Sequence, residues 1–319
     1  MPPSGSPTLS IVVPVYGCAG CLETLAERVH AAVAGSFPDY ELILVDDASP
    51  DQAWPRIVEL SARNPHVRGL RLTRNFGQHP AITAGLAEAQ GAVVVVMDCD
   101  LQDRPEEIPA LVAALDDGHA VALARREQRQ DSAGKRFGSW AFYRTLQWLT
   151  GVAQDHGTAN FGAYSRPVVD AVLGMPESNR FFPLLVKWSG FAPRVVAVQH
   201  EARSEGRSSY SLRRLLRLAL DIALSYSDKP LRLMTLLGLA FAAASVGFAG
   251  YSVLQYLRGD IQVAGFTSII ASIWLTGGVV VSSLGVVGLY VGRIFLESKR
   301  RPWYLVQART GPGPRHGDG

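Results

Sequence analysis

The sequence predicts an α/β domain with a doubly wound, mostly parallel sheet, followed by an interfacial helix and two membrane-crossing helices. Over the first hundred residues, short apolar runs alternate with amphipathic stretches, the pattern of parallel strands covered by helices on both faces. Farther on, residues 233–254 carry no charge and residues 261–295 carry only Arg293. At 1.5 Å per residue, about 22 helical residues reach roughly 33 Å, enough for the hydrocarbon core of a bilayer. Only 18% of the 319 residues are charged and 48% are hydrophobic, so the chain is poorer in charge than an ordinary soluble protein.

In chain order, strands are expected at 9–15, 41–45, 67–72 and 92–97, with helices at 22–34, 53–62 and 80–89. No G-x-G-x-x-G follows the first strand, which argues against a dinucleotide fold. Residues 125–205 are less regular, with aromatic patches at 140–148 and 180–188, and suit the second wall of a site. Residues 211–227 place Leu212, Leu215, Leu216, Ala219, Leu220, Ile222 and Ala223 on one helical face and Arg213, Arg214, Arg217 and Asp221 on the other. This reads as a helix lying on a membrane surface and ended by Pro230, the other reading being a surface helix of the globular domain. The expected divisions are a catalytic domain over 1–208, the interfacial helix over 209–230, the hairpin over 231–292 and a tail over 293–319.

Charge gives the orientation. Arg213, Arg214, Arg217, Lys229 and Arg232 precede the first span, while Arg293, Lys299, Arg300 and Arg301 follow the second. Only Arg258 and Asp260 lie between, so the positive-inside rule puts both outer ends in the cytoplasm. The polar lead-in over 1–10 has no signal-peptide core, which leaves the large domain cytoplasmic. A net charge of +3, with the basic excess beside the spans, suits anionic lipid and not nucleic acid.

The most informative stretch runs from Val93 to Asp103, where a buried strand ends in Asp98-Cys99-Asp100-Leu101-Gln102. Ligands collect at the carboxyl ends of parallel strands. A hard cation such as Mg²⁺ or Mn²⁺ takes oxygen ligands and keeps positions open for phosphate, and Asp98, Asp100 and Gln102 offer that set. A helix N-cap with a solvated turn is the other reading of the same residues. Cys18 and Cys21 form a C-x-x-C, with Cys99 the only other cysteine. Zinc would want two further ligands at matching spacing, so Cys18 and Cys21 are expected as small packing residues in a reducing compartment, a redox function being the other reading.

Several further motifs resemble one family. Ile11-Val12-Val13-Pro14-Val15-Tyr16, Leu44-Val45-Asp46-Asp47-Ala48-Ser49-Pro50-Asp51, Arg74-Asn75-Phe76-Gly77 and the stretch from Asp98 to Glu107 look like glycosyltransferase family 2. Arg126-x-x-Arg129-x-Asp131, Arg203-x-x-Gly206-x-Ser208-x-Tyr210 and the run from Tyr290 to Glu297 are similar to its polyprenyl-phosphate branch. The resemblance spans about residues 9–306 and implies a GT-A (Rossmann-like) fold, a nucleotide-sugar donor, Mg²⁺ or Mn²⁺, and a polyprenyl phosphate acceptor in a membrane. It implies that Pro14, Tyr16, Asp46 and Asp47 line the nucleoside pocket. Asp98, Asp100 and Gln102 would hold metal and donor diphosphate, with Arg126 on the donor and Arg129, Arg203, Ser208 and Tyr210 on acceptor and phosphate. For each Arg, a surface ion pair is the alternative.

Two departures stand out. Gly17-Cys18 replaces the usual Asn-Glu, and Ala159-Asn160-Phe161-Gly162 replaces Gly-Asp-Phe-Arg, which turns the Asp often cast as base into an amide. Asp155 is the carboxylate that could substitute, and it stands with Asp100 as a catalytic candidate. Gln78-His79 and the run Arg129-Gln130-Asp131-Ser132 resemble the branch handling modified arabinose, with other sugars left open. The expected activity is inverting transfer from a UDP- or GDP-sugar to undecaprenyl or dolichyl phosphate at the inner leaflet of a bacterial inner membrane. Alternatives are a membrane-anchored nucleotide-binding partner without turnover, or a glycosyltransferase with another lipid or polysaccharide acceptor. Assembly of identical chains is open.

Overall fold

The computed structural model describes residues 8–115, 118–126, 158–177, 180–198, 229–258 and 265–311. These form two compact units, one from the residues up to 198 together with 301–311, the other from 229–300.

The first unit is built on an eight-stranded sheet. Its strands are β1 (Leu9–Val15), β2 (Tyr40–Asp46), β3 (Val67–Leu72), β4 (Val93–Val96), β5 (Val121–Arg126), β6 (Thr158–Ser165), β7 (Pro193–Val198) and β8 (Val306–Thr310). Their order is β7-β5-β6-β4-β1-β2-β3-β8. The β4-β1-β2-β3 core is parallel, as the alternation of strands and helices predicts. The sheet as a whole is mixed but mostly parallel: six strands run one way and β6 and β8 run against them. β6 enters antiparallel between β4 and β5, and β8 runs antiparallel along β3. Both are antiparallel pairings between strands far apart in the chain, which a local alternation of strand and helix does not signal.

The two faces of the sheet are covered separately. Ile11, Val13 and Val15 of β1 share one core cluster with Leu22, Leu25 and Val29 of α1 (Leu22–Val33), Ile57 of α2 (Ala53–Arg63) and Ile108 of α4 (Ile108–Ala113). The α1 residues recur at i, i+3 and i+7, one stripe of a helix. The opposite face carries α3 (Gln78–Glu88), which is buried from Ala81 to Leu86. A Cβ added at Gly85 would lie 2.3 Å from Val12 Cγ1 and 3.1 Å from Val45 Cγ2, so glycine lets this helix sit down on β1 and β2. Gly85→Ala is expected to destabilise the protein by about 1–3 kcal/mol through overpacking, read as a lower Tm. An unchanged Tm would show that α3 can shift without cost.

Beyond the sheet, α5 (Arg166–Gly174) and α6 (Phe182–Trp188) pack near α3. The segment 293–319, expected as a tail, begins inside a helix and returns to the sheet. Arg309 Nε and Nη2 donate to Glu88 Oε1 at 3.0 and 2.9 Å, Thr73 N donates to Leu305 O at 2.9 Å, and the Arg180 guanidinium lies 4.0 Å over the Trp303 ring. The alternating Val306-Gln-Ala-Arg-Thr310 run covers the outer edge of β3, an edge that would otherwise offer unpaired backbone.

The second unit is a pair of long helices, α7 (Lys229–Leu257) and α8 (Phe266–Ser298), packed against each other. Both outrun the expected 231–292 hairpin. Among the described residues, the Leu275–Ser298 stretch of α8 is long and apolar enough to cross a membrane, and none of it is buried by protein. The expected interfacial helix over 209–230 lies outside the described residues except at its end.

Candidate active site

β4, β1 and β2 are parallel neighbours, so the residues leaving their carboxyl ends gather at one edge of the sheet. Pro14 is buried within β1, and Tyr16, just after it, is 55% exposed. Asp46 closes β2, Asp47 follows it, and Asp98 stands two residues past β4. The sequence-predicted residues Pro14, Tyr16, Asp46, Asp47, Asp98, Asp100 and Gln102 therefore belong to three adjacent strand ends.

The two β2 carboxylates do different things. Asp46 is 1% exposed; its Oδ1 accepts from Ser49 N at 2.8 Å, and Arg71 Nε stands 3.5 Å from Oδ2. Oδ2 itself is buried, makes no hydrogen bond and faces the Arg71 guanidinium. Burial raises the Asp46 pKa, with the Ser49 amide and the Arg71 charge opposing it. Asp47, expected in the nucleoside pocket, commits both oxygens to the protein's own backbone. Oδ1 accepts from Phe76 N at 2.7 Å and Oδ2 from Gly77 N at 2.8 Å. Gly77 has φ +100°, so Asp47 secures a glycine turn that launches α3. Burial raises the Asp47 pKa, and the two amides pull it back.

The turn after β4 is compact. Gln78 Nε2, from the first turn of α3, donates to Asp98 Oδ1 at 2.6 Å. Gln102 N donates to Asp100 Oδ1 at 3.2 Å, and Leu101 between them has φ +60°. Buried Asp103 takes Asp98 N at 3.4 Å. Among the described residues, no three His, Cys, Asp or Glu side chains converge as a closed cage. Two half-buried carboxylates and an amide on one turn fit a hard cation that completes its shell with phosphate oxygens and water. His79, beside Gln78, stacks edge-on against Phe181, and burial drops its pKa to about 4, so it is neutral at physiological pH.

The loop after β1 is pinned from the β2 side. Gly17 N donates to Ser49 Oγ and Ala19 N to Asp51 Oδ2, each at 2.7 Å, while Ser49 Oγ donates to Asp51 Oδ1. For Cys18 the structure corrects the expectation of a packing thiol. Cys18 and Cys99 are joined in a disulfide, and Cys21 remains a thiol. Nothing in the spacing 18, 21, 99 signals this pair. It becomes evident only once β1 and β4 are known to be neighbours.

Arg126 is the last residue of β5. Arg129, Asp155, Arg203, Ser208 and Tyr210 lie outside the described residues. Gly162 sits in β6 with no room for a side chain, since a Cβ there would lie 2.8 Å from Ala122 O.

The model of glycosyl transferase family 2 matches residues 10–170, which include every strand end described above. A Synechocystis sp. protein described as an uncharacterized glycosyltransferase is 34% identical over 299 residues, 93% of this chain and 94% of the relative. The chain belongs to glycosyl transferase family 2. Solved relatives share its fold. The glucosyl-3-phosphoglycerate synthase of Mycobacterium tuberculosis, in complex with Mn²⁺, UDP-glucose and phosphoglyceric acid, superposes with a TM-score of 0.52 at 20% identity, covering 69% of this chain and 79% of that one. The same synthase with glycerol 3-phosphate gives 0.51 at 18%, covering 69% and 80%. The α/β sheet of this glycosyltransferase is thus GT-A-like.

Proposed function

We propose that this family-2 glycosyltransferase moves a sugar from a UDP- or GDP-sugar to a polyprenyl phosphate at the cytoplasmic leaflet of a bacterial inner membrane, with inversion and with a divalent cation. The observation that carries the reading is the placement of half-buried Asp98 and Asp100 after β4 and of buried Asp46 at the end of β2, on either side of β1 at one edge of the sheet. The Mycobacterium tuberculosis synthase with this fold takes Mn²⁺ and UDP-glucose, which supports the donor class. A membrane-length apolar helix on the same chain supports a lipid acceptor.

In this reading Asp46 accepts a donor hydroxyl or N–H, with Pro14 and Tyr16 beside it. Asp98, Asp100 and Gln102 hold Mg²⁺ or Mn²⁺, which when bound offsets the charge gathering on the leaving diphosphate. Arg126, Arg129 and Arg203 clamp phosphates with forked donors, assisted by the Ser208 and Tyr210 hydroxyls. An acceptor phosphate oxygen forms the new bond to the anomeric carbon as the bond to the donor diphosphate breaks. That oxygen is already anionic, so Asp155 serves to orient the acceptor and no strong base is required. Asp155→Asn should therefore lower kcat by less than the roughly 10²–10⁴-fold typical of a lost general base. A larger loss at unchanged donor affinity would restore an obligatory base.

The lipid reading includes a hairpin in which both α7 and α8 cross the membrane and the large domain faces the cytoplasm. A cysteine at Gly259, with the natural ones replaced, should then react with an impermeant maleimide from outside intact cells. Labelling at Thr310 from outside would refute it. The decisive assay incubates purified protein and Mn²⁺ or Mg²⁺ with undecaprenyl or dolichyl phosphate and a panel of UDP- and GDP-sugars. Glycolipid formation supports the reading; nucleotide binding without release of UDP or GDP would make the protein a binding partner instead.

A further inference from the structure

The disulfide lies where the donor site is assembled. Cys99 is the residue between Asp98 and Asp100, and Cys18 belongs to the loop after β1, the strand next to β4. Both sulfur-bearing residues are nearly buried, at 8% and 9% exposure, within the core cluster shared by β1 and α1. The bond joins points 81 residues apart in sequence, with Cα atoms 6.6 Å apart. It fastens the 98–103 turn to a loop that Ser49 and Asp51 already hold to the end of β2, so the two halves of the site become one covalent frame. Cys21 follows one short helical turn later, its N donating to Cys18 O at 3.1 Å, and keeps its thiol. Disulfides in a reducing cytosol are usually transient and redox-sensing, in contrast to the structural bonds of secreted domains.

We propose that Cys18 and Cys99 form a thiol–disulfide exchange site whose oxidised form presets the Asp98–Asp100 turn and thereby raises affinity for the donor diphosphate. The inference rests on the donor-site reading given above. In the exchange, a dithiol reductant attacks one sulfur of the bond and passes through a mixed disulfide. It leaves as its own cyclic disulfide, having delivered two electrons and two protons to give Cys18 and Cys99 thiols. A disulfide oxidant such as oxidised glutathione reverses the step. Once the bond is open, the turn keeps only non-covalent ties such as Gln78 to Asp98, and ordering it falls to the ligand.

The test uses the full chain in detergent, oxidised with glutathione disulfide or reduced with dithiothreitol. Maleimide-polyethylene glycol labelling after denaturation counts thiols, and calorimetry with UDP or GDP plus Mn²⁺ measures binding. The count should rise from one to three on reduction, with nucleotide bound about tenfold more weakly, a difference in the range preorganisation supplies. Cys18→Ala/Cys99→Ala should bind like the reduced protein and ignore dithiothreitol, whereas Cys21→Ala should respond as wild type does. Reduced wild-type protein supplies the same comparison if the double variant does not fold. Equal binding in both states, three thiols after oxidation, or loss of the response in Cys21→Ala would overturn the switch. Binding of neither nucleotide in either state would instead overturn the donor-site reading and the switch along with it.

Discussion

Asp100→Asn is expected to lower the rate of sugar transfer by about a thousandfold or more, a rise of roughly 4 kcal/mol in the barrier. The substitution keeps size and shape and removes one negative charge from the turn after β4, where Asp98, Asp100 and Gln102 offer oxygen ligands to a hard cation. Asp100 Oδ1 accepts from the Gln102 amide, which an Asn oxygen can also do, so that tie within the turn should survive. The check is kcat at saturating donor and Mn²⁺, alongside circular dichroism. Gln78→Ala, which removes the hydrogen bond to Asp98 Oδ1 but no candidate ligand, should cost much less and act mainly on the donor KM. Turnover by Asp100→Asn within tenfold of wild type, or full activity in excess EDTA, would end the metal reading.

Glu41→Gln should cost about 3–5 kcal/mol of stability, the scale for breaking a buried charge pair by altering one partner. Glu41, in β2, is 6% exposed and Arg68, in β3, is 8% exposed. Glu41 Oε1 accepts from Ser10 Oγ at 2.6 Å and Gln90 N at 2.7 Å, and Oε2 accepts from Arg68 Nη1 at 2.6 Å. A glutamine can keep its oxygen toward Ser10 and Gln90 only by turning its NH₂ onto the Arg68 guanidinium, donor against donor. Glu41→Leu combined with Arg68→Met should recover part of the loss, because an apolar pair strands no charge. Chemical unfolding in detergent reads the effect, and a change under 1 kcal/mol would show that Arg68 is satisfied by Glu88 alone. Glu41 lies near the start of β2, five residues before Asp46, so the variant tests the frame apart from the chemistry.

The parallel core was readable because its signals are local. Strands at 9–15 and 67–72 coincide with β1 and β3, and the helix expected at 22–34 ends one residue early as α1. Pro80 drew the expected start of α3 two residues late, since a first helical turn tolerates the missing N–H. What failed depends on partners far away in sequence. β6 slots antiparallel between β4 and β5, and β8 finds the β3 edge from beyond the two long helices. Within the site, Asp46, Asp98 and Asp100 were legible from residue type and strand position. The clamp of Asp47 on Phe76 and Gly77, the Gln78–Asp98 bond and the disulfide were not, because each joins two separate strand-to-helix turns.

The return of Val306–Thr310 to the edge of β3 imposes an order on biosynthesis. A ribosome delivers the chain from the N-terminus, so β1 to β7 emerge before α7 and α8, and β8 emerges last. Until then the newborn domain carries an open β3 edge, and Glu88 waits for Arg309. Synthesis of the two long helices thus precedes completion of the sheet. A chain stopped after Ser298 would release a domain with a bare strand edge, the kind of surface that chaperones and proteases patrol.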